Sequence, residues 1–270
     1  MRVHDLSDIT FIIPFSFDLP ERLRNLRIVT QFLTANFNSR IIVSEYDTVR
    51  RLRPALLPSS VRRSVRHLFF RNPNSYFQRT RSVNLACSEV DTPLLAVCDA
   101  DVLLMTAQYV EGVTALREGR CDMCLPFENR VMWIPRDDVP AIMPVPDDRM
   151  LSGLSHETSD DSHVFFGLIC LLNTQSFLDA GMMNEHFKSW GYEEMEFHMR
   201  LLKLGYRIRH TGGLAYHLGH GNGGDTGPEH EHYTNNMREY HRVLYSNVED
   251  LHAYIASWPW AGRGKGPKPQ

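Results

Sequence analysis

The stretch Leu94-Leu-Ala-Val-Cys98-Asp99-Ala100-Asp101 decides how this chain of 270 residues is read. Five apolar residues in a row suit a short strand buried on both faces, the kind found in parallel sheets. The run then breaks into two acids. In extended chain, residues i and i+2 point the same way, so the carboxylates of Asp99 and Asp101 are expected to face one site. Two hard oxygen ligands at a strand end suit a divalent cation that also holds a diphosphate. A turn with two solvated acids explains the same three residues, and it is the strand ahead of them that favours a site.

Working outward, Ile9-Thr-Phe-Ile-Ile13, stopped by Pro14, and Arg40-Ile-Ile-Val-Ser44, followed by Glu45, read as two more buried strands. Between them, residues 21–37 carry apolar side chains at 23, 26, 29, 32 and 33, which is helical spacing. Residues 48–78 are expected to be helix and loop. Helices are predicted over 82–88, 106–118, 175–180 (ended by Gly181) and 193–204 (ended by Gly205), and strands over 121–126, 164–172 and 206–210. The proline- and acid-rich stretch 135–163 reads as a long irregular loop. Strands alternating with helices define an α/β class with a largely parallel central sheet flanked by helices. Ligands of such sheets bind beyond the carboxyl ends of the strands, where Pro14, Glu45 and Asp99 all sit.

Composition narrows the function classes. A hydrophobic content of 43%, a charged content of 23% and a net charge of −3 exclude disorder and coiled coil as the main state. No apolar run approaches the ~20 residues of a membrane span, and the start lacks a signal-peptide core, so the expectation is a soluble cytoplasmic protein. Five cysteines are too few and odd in number for a disulfide framework, and Cys121-x-x-Cys124, without a second pair, reads as core thiols. The charge is unevenly spread. Between Arg50 and Arg81 there are nine arginines, no lysine and no acid, so the remainder of the chain is markedly acidic. Arginine forks suit phosphates and carboxylates, which leaves open an anionic ligand, a polyanionic acceptor, peripheral contact with an acidic membrane surface, or simply a solvated face. A pI near 6.5 and the lack of an aromatic-basic module argue against nucleic acid.

Two later segments carry chemistry. In Lys188-Ser-Trp190-Gly191-Tyr-Glu193-Glu194-Met-Glu196, a tryptophan and a glycine lead into a helix whose first turn holds three acids. Acids there are favoured by the helix dipole, and they equally suit a general base beside a sugar-stacking ring; the residues leave both readings open. His217-Leu-Gly-His220-Gly-Asn-Gly-Gly follows a strand and offers imidazole ligands, but the Cys/His spacings of tetrahedral zinc sites are absent.

An Asp-x-Asp, then Trp-Gly-x-Glu-Glu, then a late histidine, in that order, resembles the glycosyltransferases of the GT-A fold. The similarity is to the family 2-like enzymes, β-1,4-galactosyltransferases and chondroitin-polymerase C-terminal domains. It runs over about residues 8–225 and includes Phe166-Gly-Leu-Ile-Cys-Leu-Leu-Asn173 and Gly181-Met-Met-Asn-Glu-His-Phe187. The resemblance implies one GT-A domain over 1–261: a nucleotide-sugar half at about 8–105, an acceptor half at about 106–225, a helical segment at about 228–258, and a disordered tail at 262–270. It implies that Pro14, Glu45, Arg81, Asn84 and Asp99 contact the nucleotide-sugar, and that Asp99, Asp101 and His217 (or His220) hold a divalent metal. Mixed carboxylate and imidazole ligation favours Mn²⁺ over Mg²⁺. Glu194 takes the place of the general base, and Trp190, Gly191 and Glu193 that of acceptor contacts. The chain departs from the family in having Met182 where a second glycine is usual, and Glu-Glu where Glu-Asp is usual. The second carboxylate favours inversion over retention. The expectation is a metal-dependent, inverting transfer of a sugar, most simply from a UDP-sugar, to a hydroxyl of a glycan or other acceptor. The rivals are a sugar nucleotidyltransferase and a non-catalytic carbohydrate-binding protein.

Overall fold

Strand β1 (His4–Phe15) lies inside a seven-stranded sheet, flanked by β2 (Phe37–Asp47) and β4 (Leu94–Cys98), both parallel to it. A computed structural model describes residues 3–142, 147–154, 165–221 and 227–261; the proposed tail at 262–270 lies outside them, as do 143–146 and 155–163 of the stretch expected to be an irregular loop, whose described parts instead carry the short helices α4 (Val139–Ile142) and α5 (Asp148–Ser152). The strand order is β3-β2-β1-β4-β8-β6-β9, where β3 is Val65–Arg71, β6 Met123–Leu125, β8 Ile169–Asn173 and β9 Ile208–His210. The four strands on the β3 side are parallel, while β8 runs antiparallel to both β4 and β6.

Helix α1 (Pro20–Asn36) starts with proline at a position that needs no N–H, and buries Leu26, Val29, Phe32 and Leu33 at the predicted spacing. Their core partners include Phe11, Phe37 and Tyr109, the last carried by α3 (Thr106–Arg117), with Phe37 and Tyr109 ring centroids 5.1 Å apart. Helix α2 (Arg79–Cys87) covers the sheet near β1 and β2. All five cysteines are free and buried. Two helices, α8 (Tyr233–Tyr245) and α9 (Val248–Ala256), follow where a helical segment was expected. Among the described residues no helix is long and apolar enough to cross a membrane.

Several expectations need correction. Pro14 does not stop β1, which runs on to Phe15. The ladder with β4 has already ended at Ile12, so a residue without an N–H is tolerated there. Residues 65–71, expected to be helix or loop, form the edge strand β3, whose half-buried Val-Arg-His-Leu-Phe-Phe-Arg sequence hides the period. Phe165–Leu168 is irregular, with Leu168 in the left-handed region at φ 69°, so β8 starts later than predicted. A second sheet was not foreseen: β5 (Val102–Leu104), β10 (Ala215–Leu218) and β7 (Val131–Ile134), in the order β5-β10-β7.

Candidate active site

Beyond Cys98 the chain does not stay extended. It folds into a turn, with Val102 N–H directed at the Asp99 carbonyl, and immediately becomes β5. The same-face expectation for the two acids therefore fails, because period 2 holds only in a strand. Asp99 points to one cluster and Asp101 to another.

Register builds the Asp101 cluster. Strand β10 pairs antiparallel with β5 so that His217 stands opposite Val102, and Leu218 N–H donates to the Asp101 carbonyl at 2.7 Å. That pairing sets His217 Nε2 at 3.7 Å from Asp101 Oδ1 and His220 Nε2 at 3.2 Å from Oδ2. The three side chains offer ligand atoms within 4.8 Å of one another. Burial would raise the Asp101 carboxyl, but His217, His220 and Arg22 together hold it well below the usual carboxylate range. Two details fit a cation. His220 Nδ1 lies 2.7 Å from the Gly221 carbonyl and must donate to it, so its Nε2 lone pair faces a carboxylate oxygen unless a proton or cation stands between. Among the described residues, His217 Nδ1 is buried without a hydrogen-bond partner. Trp133, exposed on β7, packs against His217 with ring centroids 4.5 Å apart.

The Asp99 cluster centres on Arg79, which sequence reasoning missed. Its Nε and Nη2 donate to Asp99 Oδ1 at 2.9 and 2.8 Å, and Nη2 reaches Glu194 Oε1 at 3.1 Å. Burial alone would favour losing the Arg79 proton, but Asp99 and Glu194 outweigh it and keep the guanidinium charged. Glu194 stands in the first turn of α7 (Glu193–Lys203). Burial pushes its carboxyl up to about 7 against the pull of Arg79, with Asp99 and Glu193 adding to the rise. The carboxyl occupies space that only glycine leaves: a Cβ on Gly167 would fall 1.8 Å from the Glu194 Cδ. Asp99 N–H donates to the Leu168 carbonyl at 2.8 Å, which ties this loop to the end of β4. Gly167→Ala is therefore expected to displace Glu194 and reduce any turnover that uses it by at least about tenfold, a small misplacement sufficing for that. Steady-state kinetics with a check of thermal stability tests this; wild-type kcat in a folded variant would show that the carboxyl works from elsewhere.

Trp190 is 48% exposed and stacks on Tyr233 of α8 at 6.2 Å and 14°. Its carbonyl accepts from His230 Nε2 at 2.6 Å and Asn236 Nδ2 at 3.2 Å, and Ser189, Gly191 and Tyr192 all take positive φ to wind the segment. Glu193, by contrast, is buried and accepts from Gly191 N–H at 2.8 Å, so it shapes the loop. Gly181 and Met182 are both left-handed, at φ 89° and 62°; the methionine adopts the conformation a second glycine would favour.

The expected nucleotide contacts are more committed than the sequence suggested. Glu45 is fully buried; Oε1 accepts from Arg51 and Leu52 N–H, and Oε2 lies 2.8 Å from His67 Nε2. Burial would raise it, but these partners hold it below the usual range. Asn84 Nδ2 donates to the Met183 carbonyl and to Glu185, and its Oδ1 accepts from Met183 N–H, so the amide anchors the 181–185 turn. Arg81 pairs with Glu185 at 3.1 Å, leaving its side chain 40% exposed. Pro14 lies beside Ser44 in the β1–β2 ladder, at the carboxyl edge of the sheet.

Comparison with known proteins agrees with this architecture. Residues 149–220, which carry Gly167, Trp190, Glu194 and both histidines, match the family described as the N-terminal domain of galactosyltransferase. Staphylococcus aureus TarS residues 1–349, solved with UDP-GlcNAc, superposes over 92% of this chain and 71% of its own, with a TM-score of 0.55 at 11% identity. The catalytic domain of Drosophila β1,4-galactosyltransferase 7, solved with xylobiose, aligns over 92% of this chain and 84% of its own, with a TM-score of 0.43 at 16% identity. No curated protein matches the sequence significantly. The fold is the GT-A type of the glycosyltransferases, as the sequence resemblance implied.

Proposed function

We propose that this chain is a metal-dependent, inverting glycosyltransferase that moves a sugar from a nucleotide-sugar, most simply a UDP-sugar, to a hydroxyl of a glycan acceptor. The observation that carries the reading is the pairing of two clusters at one end of β4: a carboxylate with two imidazoles on one side, and a proton-accepting carboxyl held by arginine on the other. The GT-A fold and the galactosyltransferase-family segment support the same reading.

Asp101, His217 and His220 would hold a divalent cation, which when bound supplies Lewis-acid neutralisation of the diphosphate leaving group. Two nitrogen donors beside one carboxylate favour Mn²⁺ over Mg²⁺. Asp99, taken by Arg79, would act by fixing that guanidinium and by lying beside the donor. Trp190 would stack an acceptor ring and present its hydroxyl to Glu194. As the acceptor oxygen bonds to the anomeric carbon, the carbon–phosphate oxygen bond breaks and the hydroxyl proton passes to Glu194. A base pushed up to about 7 is poised to take that proton near neutral pH. Pro14, Glu45, Arg81 and Asn84 would shape the donor pocket, the buried two by anchoring its loops. Among the described residues Arg50, Arg53, Arg62, Arg63 and Arg71 have no acidic partner, which supports an acceptor that carries negative charge.

Release of UDP from a panel of UDP-sugars, with Mn²⁺ and a mixture of glycan acceptors, tests the activity. Acceptor-stimulated release is expected for one donor. Transfer of the nucleotidyl group of a nucleoside triphosphate to a sugar 1-phosphate, with release of pyrophosphate, would instead mark a nucleotidyltransferase.

A further inference from the structure

Each acid of the Asp99–Asp101 turn has an arginine of its own, and the two arginines are held very differently. Arg79 is wedged between two carboxylates with its side chain only 13% exposed. Arg22 reaches Asp101 from the first turn of α1 through a single nitrogen, Nη1 at 2.8 Å from Oδ2. Among the described residues its other acidic neighbour is Asp18, at 3.9 Å and itself 41% exposed, and the Arg22 side chain is 26% open to solvent. The oxygen it holds is the one that faces His220. Arg22 thus stands, through one nitrogen, on the Asp101 oxygen that His220 also faces, while the other oxygen is turned to His217.

We propose that Arg22 is the resident counter-ion of the Asp101 site, so that a divalent cation binds by exchange with the Arg22 guanidinium. The inference rests on the reading of Asp101, His217 and His220 as cation ligands. A buried carboxylate left unpaired is costly, and Arg22 removes that cost in the cation-free protein. A guanidinium and a divalent cation on one carboxylate oxygen repel each other, so the two compete for it. Every population of the Arg22–Asp101 pair therefore lowers the apparent cation affinity. A freed Arg22, at the mouth of the site, gains a new partner when a nucleoside diphosphate arrives with the cation. Exchange makes cation and nucleotide binding mutually reinforcing, and it discourages loading by the cation alone.

The test is Mn²⁺ titration by calorimetry, without nucleotide, on the wild type, Arg22→Gln, Arg22→Lys and Asp101→Asn. Exchange predicts that Arg22→Gln binds Mn²⁺ roughly tenfold more tightly than wild type. Arg22→Lys, with a single compact charge, is expected to fall between them. Repeating the titration with saturating UDP should erase or reverse the advantage. Equal or weaker Mn²⁺ binding by Arg22→Gln, with the wild type binding normally, overturns the inference and leaves the cation site standing. If Arg22→Gln does not fold, Arg22→Lys decides by the same criterion. No Mn²⁺ binding by either the wild type or Arg22→Gln removes the cation site itself, and the exchange with it; retained binding by Asp101→Asn shows that the cation sits elsewhere, which also overturns the exchange.

Discussion

Glu194→Gln is expected to lower kcat for sugar transfer by roughly 10²- to 10⁴-fold, the usual contribution of a positioned general base. The amide keeps the shape of the side chain in the space above Gly167, with its oxygen still beside Arg79 Nη2. It cannot take a proton. In the proposed reading Glu194 itself does not hold the donor, so donor binding should change little and the loss falls on kcat and not on KM. The pH profile carries the same signature. A base must be ionised to work, so wild-type activity should fall about tenfold per unit below the Glu194 midpoint of about 7 and level off above it. That limb should disappear in Glu194→Gln. An unchanged kcat would take the base role away from Glu194, and an unchanged limb would assign the titration to another group.

The second large effect is expected at Asp101. Asp101→Asn replaces the one carboxylate among three candidate ligands with a neutral amide of nearly the same shape. Cation affinity should fall by at least about a hundredfold, the upper range found for mere supporting residues of metal sites. Nucleotide binding that depends on the cation should fall with it. The amide oxygen can still accept from Arg22 Nη1, so the fold should survive with a modest loss of thermal stability. Isothermal titration with Mn²⁺ reads this directly, and a wild-type affinity would remove Asp101 from the cation site.

The central strands were legible because Ile9–Ile13, Arg40–Ser44 and Leu94–Cys98 are apolar on both faces, which only a doubly covered sheet explains. Edge strand β3 was not, because Arg66 on one face and His67 and Arg71 on the other interrupt its apolar residues and leave no period of two. The small β5-β10-β7 sheet was hidden for another reason: strands of three or four residues are too short to show a period. The site divides in the same way. Glu194 and the histidines were singled out by local patterns, a helix start and a strand end. That His217 and His220 both reach Asp101 depends on the β5–β10 register, a non-local fact. Arg79 and Arg22 are two of 25 arginines, and nothing in their neighbours distinguishes them. Gly167 was quoted in a family-like segment, but its purpose appears only when the Glu194 carboxyl lies against it.

The most direct test of the account is a thermal-shift panel: UDP, GDP, CDP and dTDP, each with Mn²⁺, Mg²⁺ or a chelator, on the wild type and Asp101→Asn. A ligand at ~100 Kd adds about 2.7 kcal/mol, which at this chain length moves Tm by roughly 5–10 °C. A cation-dependent nucleotide site predicts such a shift for one nucleotide, UDP, with Mn²⁺ above Mg²⁺, and none with chelator or in Asp101→Asn. No shift for any nucleotide under any cation, in a folded wild-type protein, would contradict the transferase reading at its root.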